Sequence, residues 1–184
     1  YLEMLRDVIG FDALKEKVVQ PLAGRKIAAY YGVSLRTLDL AVIFADSNCS
    51  LLKGSEAEIP KESYADQLSD SNGGTVSTYV PFRNGLLLST AASIALSKEC
   101  SIIYYGVHSD DAAGAAYPDC TEVFNNAMNT AIYEGSGKQL HIEAPFVSCT
   151  KAEIVKKGLE LGVPYELTWS CYAGNDEPCG KCGT

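Results

Sequence analysis

The chain has 184 residues, of which 47% are hydrophobic and 21% are charged, a composition typical of one globular domain with at most a small appendage. Lys and Arg total 15 against 23 Asp and Glu, which gives a formal net charge of −8. Because excess carboxylates repel phosphate backbones, nucleic acid is not an expected partner. The apolar runs are too short to span a bilayer, and no secretory signal pattern is visible, so we expect a cytoplasmic protein.

The first part of the chain combines apolar stripes with a long polar stretch. Residues 1–32 carry two apolar stripes at helical spacing, separated by Pro21, and are predicted to be helical. Residues 35–44 follow as a predicted strand. Residues 45–78 are polar and rich in turn residues, and a loop of this length in a compact domain is usually functional or mobile.

Helices and strands alternate more clearly in the second half of the chain. Residues 79–82 form a strand-like run before residues 86–97, which are almost entirely apolar and predict a helix buried on all sides. Two short apolar runs, 101–105 and 140–144, are predicted strands because buried strands have this length and composition.

Two further helices are predicted from capping patterns. Residues 120–134 follow Asp119, which is the predicted N-cap, with a glutamate three positions later. Thr150 and Glu153 form a second predicted capping box, and the helix that follows is expected to end at Gly162, shortly before a proline.

This order of elements predicts an α/β fold, with a parallel sheet covered by helices on both faces. In such sheets, ligands bind beyond the carboxyl ends of the strands. The segments expected at that position are 79–85, 106–119 and 145–151. Candidate functional residues are therefore expected in these three segments.

The chain contains seven cysteines, and three of them, Cys171, Cys179 and Cys182, are crowded near its end. An odd number of cysteines in a chain long enough to build a core argues against a disulfide framework. The Cys-x-x-Cys pair on a glycine turn, with Cys171 as a third thiolate, predicts a structural zinc site. A thioredoxin-like redox pair is the alternative, but that motif belongs at the start of a helix after a strand.

Several polar side chains fall in the segments expected at the sheet edge. Arg83 and Asn84 precede the apolar helix, where a guanidinium beside a helix N-terminus suits a phosphate or carboxylate; a surface arginine and an N-cap asparagine are the alternative. Lys151, in the first turn of its helix, opposes the helix dipole, which suggests an anion nearby, although a solvated lysine is equally consistent.

The segment after the first of these strands is acidic and then aromatic. Asp110 and Asp111 could hold a metal or the amine edge of a substrate, or could be solvated acids. Tyr117 offers an aromatic face, and Asp119 is either a ligand for a substrate or only a helix cap. His108 is a weak signal by itself.

Four motifs occur in a fixed order: TYVPFRNG at 78–85, GVHSDDAAGAAYPDC at 106–120, KAEIV at 151–155, and TWSCY followed by PCGKCG at the end. With them the chain resembles the 7-cyano-7-deazaguanine synthases, also called preQ-zero synthases or QueC, from about residue 24 to residue 184. As a set, the Val-Pro-x-Arg-Asn, Tyr-Pro-Asp-Cys and Ser-Cys-Tyr elements are highly specific.

The resemblance implies a Rossmann-like fold of the PP-loop ATP pyrophosphatase type. It also implies ATP-dependent conversion of 7-carboxy-7-deazaguanine and ammonia into the nitrile, in queuosine biosynthesis, through an adenylated carboxylate. The implied cofactors are Zn²⁺ and ATP with Mg²⁺, and the implied assembly is a homodimer. Residues 1–168 would form the PP-loop-type domain and residues 169–184 the zinc-binding tail.

The resemblance also assigns roles to individual residues. It implies catalytic roles for Arg83, Asn84 and Lys151, substrate binding by Asp111, Tyr117 and Asp119, nucleotide binding by Arg83, Gly106 and Lys151, and metal binding by Cys171, Cys179 and Cys182.

Two parts of the family pattern do not occur within these 184 residues. The family's Ser-Gly-Gly-x-Asp-Ser phosphate loop has its nearest counterpart in SNGGT at 71–75, which lacks the Asp-Ser pair, and a fourth zinc cysteine is expected just after Thr184. Either the chain continues at both ends, or it is a catalytically inactive homologue that binds a deazapurine or a protein partner. A related PP-loop enzyme acting on another carboxylate or on a tRNA base is a third alternative, against which the Tyr-Pro-Asp-Cys motif favours the deazaguanine.

Overall fold

The computed structural model describes residues 43–44, 46–47, 49–52, 58–62, 64–70, 74–168, 170–172, 177 and 179–180. The predicted helical segment 1–32 and most of the predicted strand 35–44 lie outside this described part. The described helices and strands are α1 (Tyr64–Asp70), α2 (Arg83–Ser97), β1 (Ile102–Tyr104), α3 (Ser109–Ala112), α4 (Glu122–Gly135), β2 (His141–Glu143) and α5 (Lys151–Glu160). None of the described helices is long and apolar enough to cross a bilayer.

The strands β1 and β2 pair in parallel, with Ile103 opposite Ile142, so the predicted parallel arrangement of these two runs is confirmed. Both isoleucines are buried with Leu88, Ile132 and Leu140 in one apolar cluster between the strands and the helices α2 and α4. Asn129 of α4 also holds the sheet directly, because its Oδ1 accepts a 2.7 Å hydrogen bond from the backbone N–H of Ile142. The carboxyl ends of both strands therefore lie at one edge of the sheet, as the sequence predicts.

Helix α2 is buried on one face only, so the prediction of burial on all sides is wrong. Its buried residues are Gly85, Leu88 and Ala95, whereas Leu87 is 45% exposed and Leu96 is 37% exposed. Four hydroxyl side chains interrupt the apolar pattern, those of Ser89, Thr90, Ser93 and Ser97. Each hydroxyl donates a hydrogen bond to the backbone carbonyl four residues earlier. These internal bonds let small polar residues occupy the outer face of a helix whose composition is mainly apolar.

The stretch predicted as a long loop contains a short helix, α1, and this is a second correction. Leu68 of α1 packs against the second apolar cluster of the molecule, which includes Val76, Val107 and Ala116. The packing of this one leucine attaches a short polar segment to the rest of the molecule. The polar composition of the segment does not indicate this packing. The strand-like run at 79–82 is also corrected, because it forms turns rather than a strand.

The two capping predictions have different outcomes. The box at Thr150 and Glu153 is present, with both reciprocal hydrogen bonds formed. Helix α4, in contrast, begins at Glu122 rather than at residue 120, and its N-cap is Thr121, whose hydroxyl accepts from the N–H of Phe124 at 3.1 Å. Asp119 is therefore not the cap of the helix that follows it, because its carboxylate is used elsewhere.

Candidate active site

The N-terminus of α2 is capped by a residue from a distant part of the chain. The N-cap position is Phe82, which has φ 54° and provides no side-chain cap. Instead, the backbone N–H of Asn84 donates to Oδ2 of Asp119 at 2.9 Å. Asp119 is only 3% exposed, and a buried carboxylate at the positive end of a helix forms a charge-assisted hydrogen bond there. Asp119 thus fixes the start of α2 against the 118–120 turn.

The side chain of Asn84 ties the same two segments together. Its Nδ2 donates to the backbone oxygen of Asp119 at 3.3 Å and to Sγ of Cys120 at 3.2 Å. The hydroxyl of Tyr105, just beyond β1, donates to the same backbone oxygen at 2.9 Å. Three elements therefore meet at one peptide group: the end of β1, the 118–120 turn and the start of α2.

Cys120 is a neutral thiol in this surrounding. Burial raises its pKa to about 12, helped by the charges of Asp111 and Asp119 and opposed by Arg83 and by the hydrogen bond from Asn84. At neutral pH such a thiol is almost entirely protonated, so it is a poor nucleophile. The carbonyl of Asp111 accepts from the N–H of Tyr117 at 3.1 Å, and Arg83 adjoins Asn84, so both charges lie close enough to Cys120 to act on it. The structure thus brings together Arg83, Asn84, Asp111 and Asp119, four of the residues predicted to form the site.

Two tyrosines beside this cluster are held in their neutral form. Burial raises the pKa of Tyr105, and the nearby Cys120 and Asp119 raise it further. Burial also raises the pKa of Tyr79. Tyr79 packs edge-to-face on Tyr117, with 6.3 Å between the ring centres, and the hydroxyl of Tyr117 is hydrogen-bonded to that of Thr78. Tyr117 is itself buried, so the half-buried Tyr79 carries the more accessible aromatic surface.

The loop after β1 is joined to the loop after β2 by three hydrogen bonds. Both the N–H and the hydroxyl of Ser109 donate to the carbonyl of Cys149, at 2.9 and 2.7 Å. Oδ2 of Asp110 accepts from the N–H of Lys151 at 2.7 Å and so caps α5. The exposed Lys151 is therefore linked through Asp110 to the neighbouring Asp111, which faces the cluster around Cys120.

His108 and Gly106 belong to the same strand-end loop. Nε2 of His108 lies 3.3 Å from Oδ2 of Asp111, and its buried Nδ1 has no hydrogen-bond partner among the described residues. Gly106 is exposed, and a side chain built on it would meet nothing within 4 Å. The loop therefore offers open space along its backbone, which is a property that a nucleotide-binding edge requires.

The cysteine-rich tail is described only in part. The N–H of Cys179 donates to Sγ of Cys171 at 3.3 Å, and Gly180 adopts φ 62°, the left-handed turn conformation expected within Cys-x-x-Cys. The third predicted ligand, Cys182, lies outside the described residues. Among the described residues no group of three metal-ligating side chains occurs. The described contact between Cys171 and Cys179 is therefore this one hydrogen bond from a backbone N–H to a sulfur.

Sequence reasoning did not identify two members of the cluster, Tyr105 and Cys120, as functional residues. Tyr105 is the last residue of the predicted strand 101–105. In a parallel sheet, a polar aromatic residue at the carboxyl end of a strand can indicate a binding site. Cys120 was visible only as part of a motif. Its contact with Asn84 joins residues 36 positions apart, and no local pattern indicates such a pairing.

Comparisons with known proteins identify the family. The chain matches the family described as "Queuosine biosynthesis protein QueC" over residues 8–184. It is 40% identical over 163 residues to the 7-cyano-7-deazaguanine synthase of Archaeoglobus fulgidus, covering 88% of this chain and 64% of that protein. It is 39% identical over 166 residues to the 7-cyano-7-deazaguanine synthase of Campylobacter curvus, covering 89% of this chain and 70% of that protein.

A Campylobacter jejuni protein of the same name is 48% identical over 107 residues, covering 57% of this chain and 47% of its own length. The chain thus spans between 47% and 70% of the length of these relatives. No solved structure gives a significant match. On the family match and these identities, the chain belongs to the QueC family of queuosine biosynthesis proteins.

Proposed function

We propose that this protein makes 7-cyano-7-deazaguanine from 7-carboxy-7-deazaguanine and ammonia at the expense of ATP. The observation that carries the proposal is the meeting of Arg83, Asn84, Asp111 and Asp119 around one buried turn at the carboxyl edge of the sheet. These residues belong to the motifs by which the chain resembles the synthases, and the curated relatives are named for this product.

The reaction needs two activations of the same carbon. A carboxylate oxygen first attacks the α-phosphorus of ATP, which releases pyrophosphate and gives an acyl adenylate. Ammonia then displaces AMP and forms the amide with loss of a proton. The amide oxygen then attacks the α-phosphorus of a second ATP and releases a second pyrophosphate. Departure of AMP, with loss of both protons of the amide nitrogen, leaves the nitrile. The enzyme must mainly position the reactants and neutralise phosphate charge in such steps.

The described residues suit these tasks. Arg83 and Lys151 stand at the first positions of α2 and α5 and are both exposed, so we assign them to the phosphates of ATP, together with Mg²⁺. The bare backbone at Gly106 would let the nucleotide approach closely. Asp111 and Asp119 supply negative charge next to the place where a deazaguanine would present its N–H groups, and Tyr117, with its neighbour Tyr79, supplies an aromatic wall.

We also propose a structural zinc ion held by Cys171, Cys179 and Cys182, with the tail from residue 169 as a small unit attached to a PP-loop-type domain formed by residues 1–168. Zinc held by thiolates would contribute to the folding free energy of this tail. A homodimer acting in the cytoplasm completes the proposal. The hydrogen bond from the backbone N–H of Cys179 to the sulfur of Cys171 supports the metal assignment.

The reaction can be tested with the full-length natural protein and 7-carboxy-7-deazaguanine labelled with ¹⁸O at both carboxylate oxygens. The mechanism predicts one nitrile for every two AMP, and each of these AMP molecules should carry one ¹⁸O atom. Mass spectrometry of the nucleotide and of the base measures both ratios. Release of unlabelled AMP, or of pyrophosphate without nitrile, would contradict the proposed sequence. Absence of both products would favour the inactive homologue.

A further inference from the structure

We propose that the side-chain oxygen of Asn84 is a fixed hydrogen-bond acceptor that selects an N–H donor of the reactants. The inference rests on the proposed function and goes beyond it, because it assigns one atom of the site to one class of ligand group. It also gives Cys120 and Asp119 a task as positioning residues that hold this atom in place.

The orientation of the Asn84 carboxamide follows from its partners. One partner is the backbone oxygen of Asp119, 3.3 Å away, and a carbonyl oxygen can only accept a hydrogen bond. The other is Sγ of Cys120, 3.2 Å away. Rotating the amide by 180° would place its oxygen against the carbonyl oxygen of Asp119, where two acceptors repel each other, and only the contact with the Cys120 thiol, which can also donate, would remain. The amide nitrogen must therefore face the 119–120 peptide, and the oxygen must face the opposite side.

The anchor on the far side of this amide is itself rigid. The carbonyl of Asp119 also accepts from the hydroxyl of Tyr105 at 2.9 Å, and the Asp119 carboxylate is bonded to the backbone N–H of Asn84 at 2.9 Å. Asn84 is thus held both at its backbone N–H and at its side-chain nitrogen. Such a doubly anchored side chain loses little further entropy when a ligand binds to its oxygen.

Oδ1 of Asn84 is available for that ligand. It forms no hydrogen bond with any described residue, and it is not among the buried atoms that lack a partner in the described part of the chain. The residue is half-buried at the start of α2, next to the exposed Arg83. An accessible oxygen with a fixed direction, in a site of this kind, accepts a hydrogen bond from whatever donor the reactants present.

The chemistry of the reactants separates groups that Asn84 can bind from groups that it repels. Phosphates and the carboxylate of the substrate are acceptors at neutral pH, so an amide oxygen repels them, whereas the neighbouring Arg83 can only donate and attracts them. Donors remain on the deazaguanine, as its ring N–H and exocyclic amine, on ammonia and on the adenosine of ATP, and we assign Asn84 to the deazaguanine or to ammonia. The two adjacent residues would thus bind different groups of the reactants. Arg83 would bind the anionic groups and Asn84 the N–H donors.

The experiment compares Asn84→Ala with the wild type in the full-length protein, using two readouts. Calorimetry measures the Kd of 7-carboxy-7-deazaguanine and of the analogue that lacks its exocyclic amine, and steady-state nitrile formation measures KM for ammonium. We expect at least one of these constants to be weakened about tenfold or more, the scale of one hydrogen bond in a partly dry site. Asn129→Ala is the matched control, since this asparagine also holds a backbone group but lies in the middle of α4.

The pattern of losses identifies the donor. If Asn84→Ala weakens binding of 7-carboxy-7-deazaguanine but not of the analogue, the donor is the exocyclic amine. If binding of both compounds is weakened equally, the donor is the ring N–H. A higher KM for ammonium with unchanged Kd values would assign ammonia. Cys120→Ser keeps an acceptor for the amide nitrogen of Asn84. It should therefore weaken the affected Kd or KM less than Cys120→Ala does.

Unchanged Kd values and an unchanged KM in Asn84→Ala would overturn the inference, and so would a loss of the same size in Asn129→Ala. If the wild type binds the base but forms no nitrile, the proposed function fails, while the Kd comparison still tests the role of Asn84. The two hypotheses therefore fail through different observations.

Discussion

Helices α2 and α5 both begin at the edge of the sheet where β1 and β2 have their carboxyl ends, but their first turns are stabilised in different ways. Helix α5 carries a complete local capping box, formed by Thr150 and Glu153 three residues apart, with Asp110 as an additional partner. Helix α2 has no local cap and depends on Asp119, 35 residues further along the chain. The comparison shows that the helix start carrying Arg83 and Asn84 is held by the 118–120 turn, which lies outside α2. We therefore expect this helix start to depend on packing between distant segments of the chain.

The largest contrast is expected in the reactivity of Cys120, on the α2 side of the comparison. Because burial raises its pKa to about 12, the native protein should react with iodoacetamide at this residue on the order of 100-fold more slowly at pH 8 than the urea-unfolded chain does. Peptide mass spectrometry of alkylated samples measures both rates. Similar rates in the two states would show that the turn beside α2 is open.

The next largest effect concerns the long-range cap itself. Asp119→Ala should lower the free energy of unfolding by about 1–3 kcal/mol, because it removes a buried charged acceptor and leaves the N–H of Asn84 without a partner. Urea unfolding followed by circular dichroism measures the change. Glu122→Ala, which alters an exposed acid three residues away, serves as the control. Equal stabilities for the two variants would mean that α2 does not need this cap.

A smaller loss is expected on the α5 side. Thr150→Ala removes the N-cap hydroxyl, which bonds the N–H of Glu153 at 3.3 Å, and this change typically costs about 1 kcal/mol. Because Asp110 still caps Lys151, helix α5 should remain folded. Hydrogen exchange of the first-turn amides of α5 should become faster, while exchange in α2 should stay the same. Faster exchange in both helices would show that the two starts are not independent.

The smallest effect is a pH dependence at Glu153. Hydrogen bonds from the backbone N–H and the hydroxyl of Thr150 hold the pKa of this carboxyl below its ordinary value of 4.5. A lowered pKa in the folded state means that the stabilisation is present above pH 4.5 and is lost as the pH falls through the folded-state pKa. The stability difference between wild type and Glu153→Gln, measured by urea unfolding from pH 7 to pH 3, should therefore shrink below pH 4.5. A constant difference would contradict this.

Local patterns in the sequence predicted the parts of the fold that depend on local interactions. The two parallel runs, the box at Thr150 and the position of the strand-end segments were all predicted, because apolar runs and capping residues act over a few positions. Asp119 shows the limit of this reasoning. Its position before a helix predicted a local cap, but Thr121 fills that role and Asp119 faces α2. A carboxylate does not reveal in the sequence which of two helix termini it will reach.

The site followed the same rule. The sequence predicts that the motif residues lie near one sheet edge, because parallel strands bring their carboxyl ends together, and the structure places Arg83, Asn84, Asp111 and Asp119 there. The network formed by Tyr105, Cys120 and Asn84 could not be predicted, because it depends on how three separate segments pack. The short helix α1 was missed for a similar reason, since Leu68 gains its packing partners only in the folded chain.

The most direct test of the account is calorimetric titration of 7-carboxy-7-deazaguanine into the full-length wild type, Asp119→Ala and Asn129→Ala, each confirmed as folded by circular dichroism. Both substitutions remove a side chain that accepts a hydrogen bond from a backbone N–H, but only Asp119 holds the start of α2. The account predicts that Asp119→Ala weakens binding by about 1–3 kcal/mol and that Asn129→Ala leaves the Kd unchanged. Equal affinity in all three proteins, or an equal loss in both variants, would contradict the claim that the turn at Asp119 and the start of α2 form the substrate site.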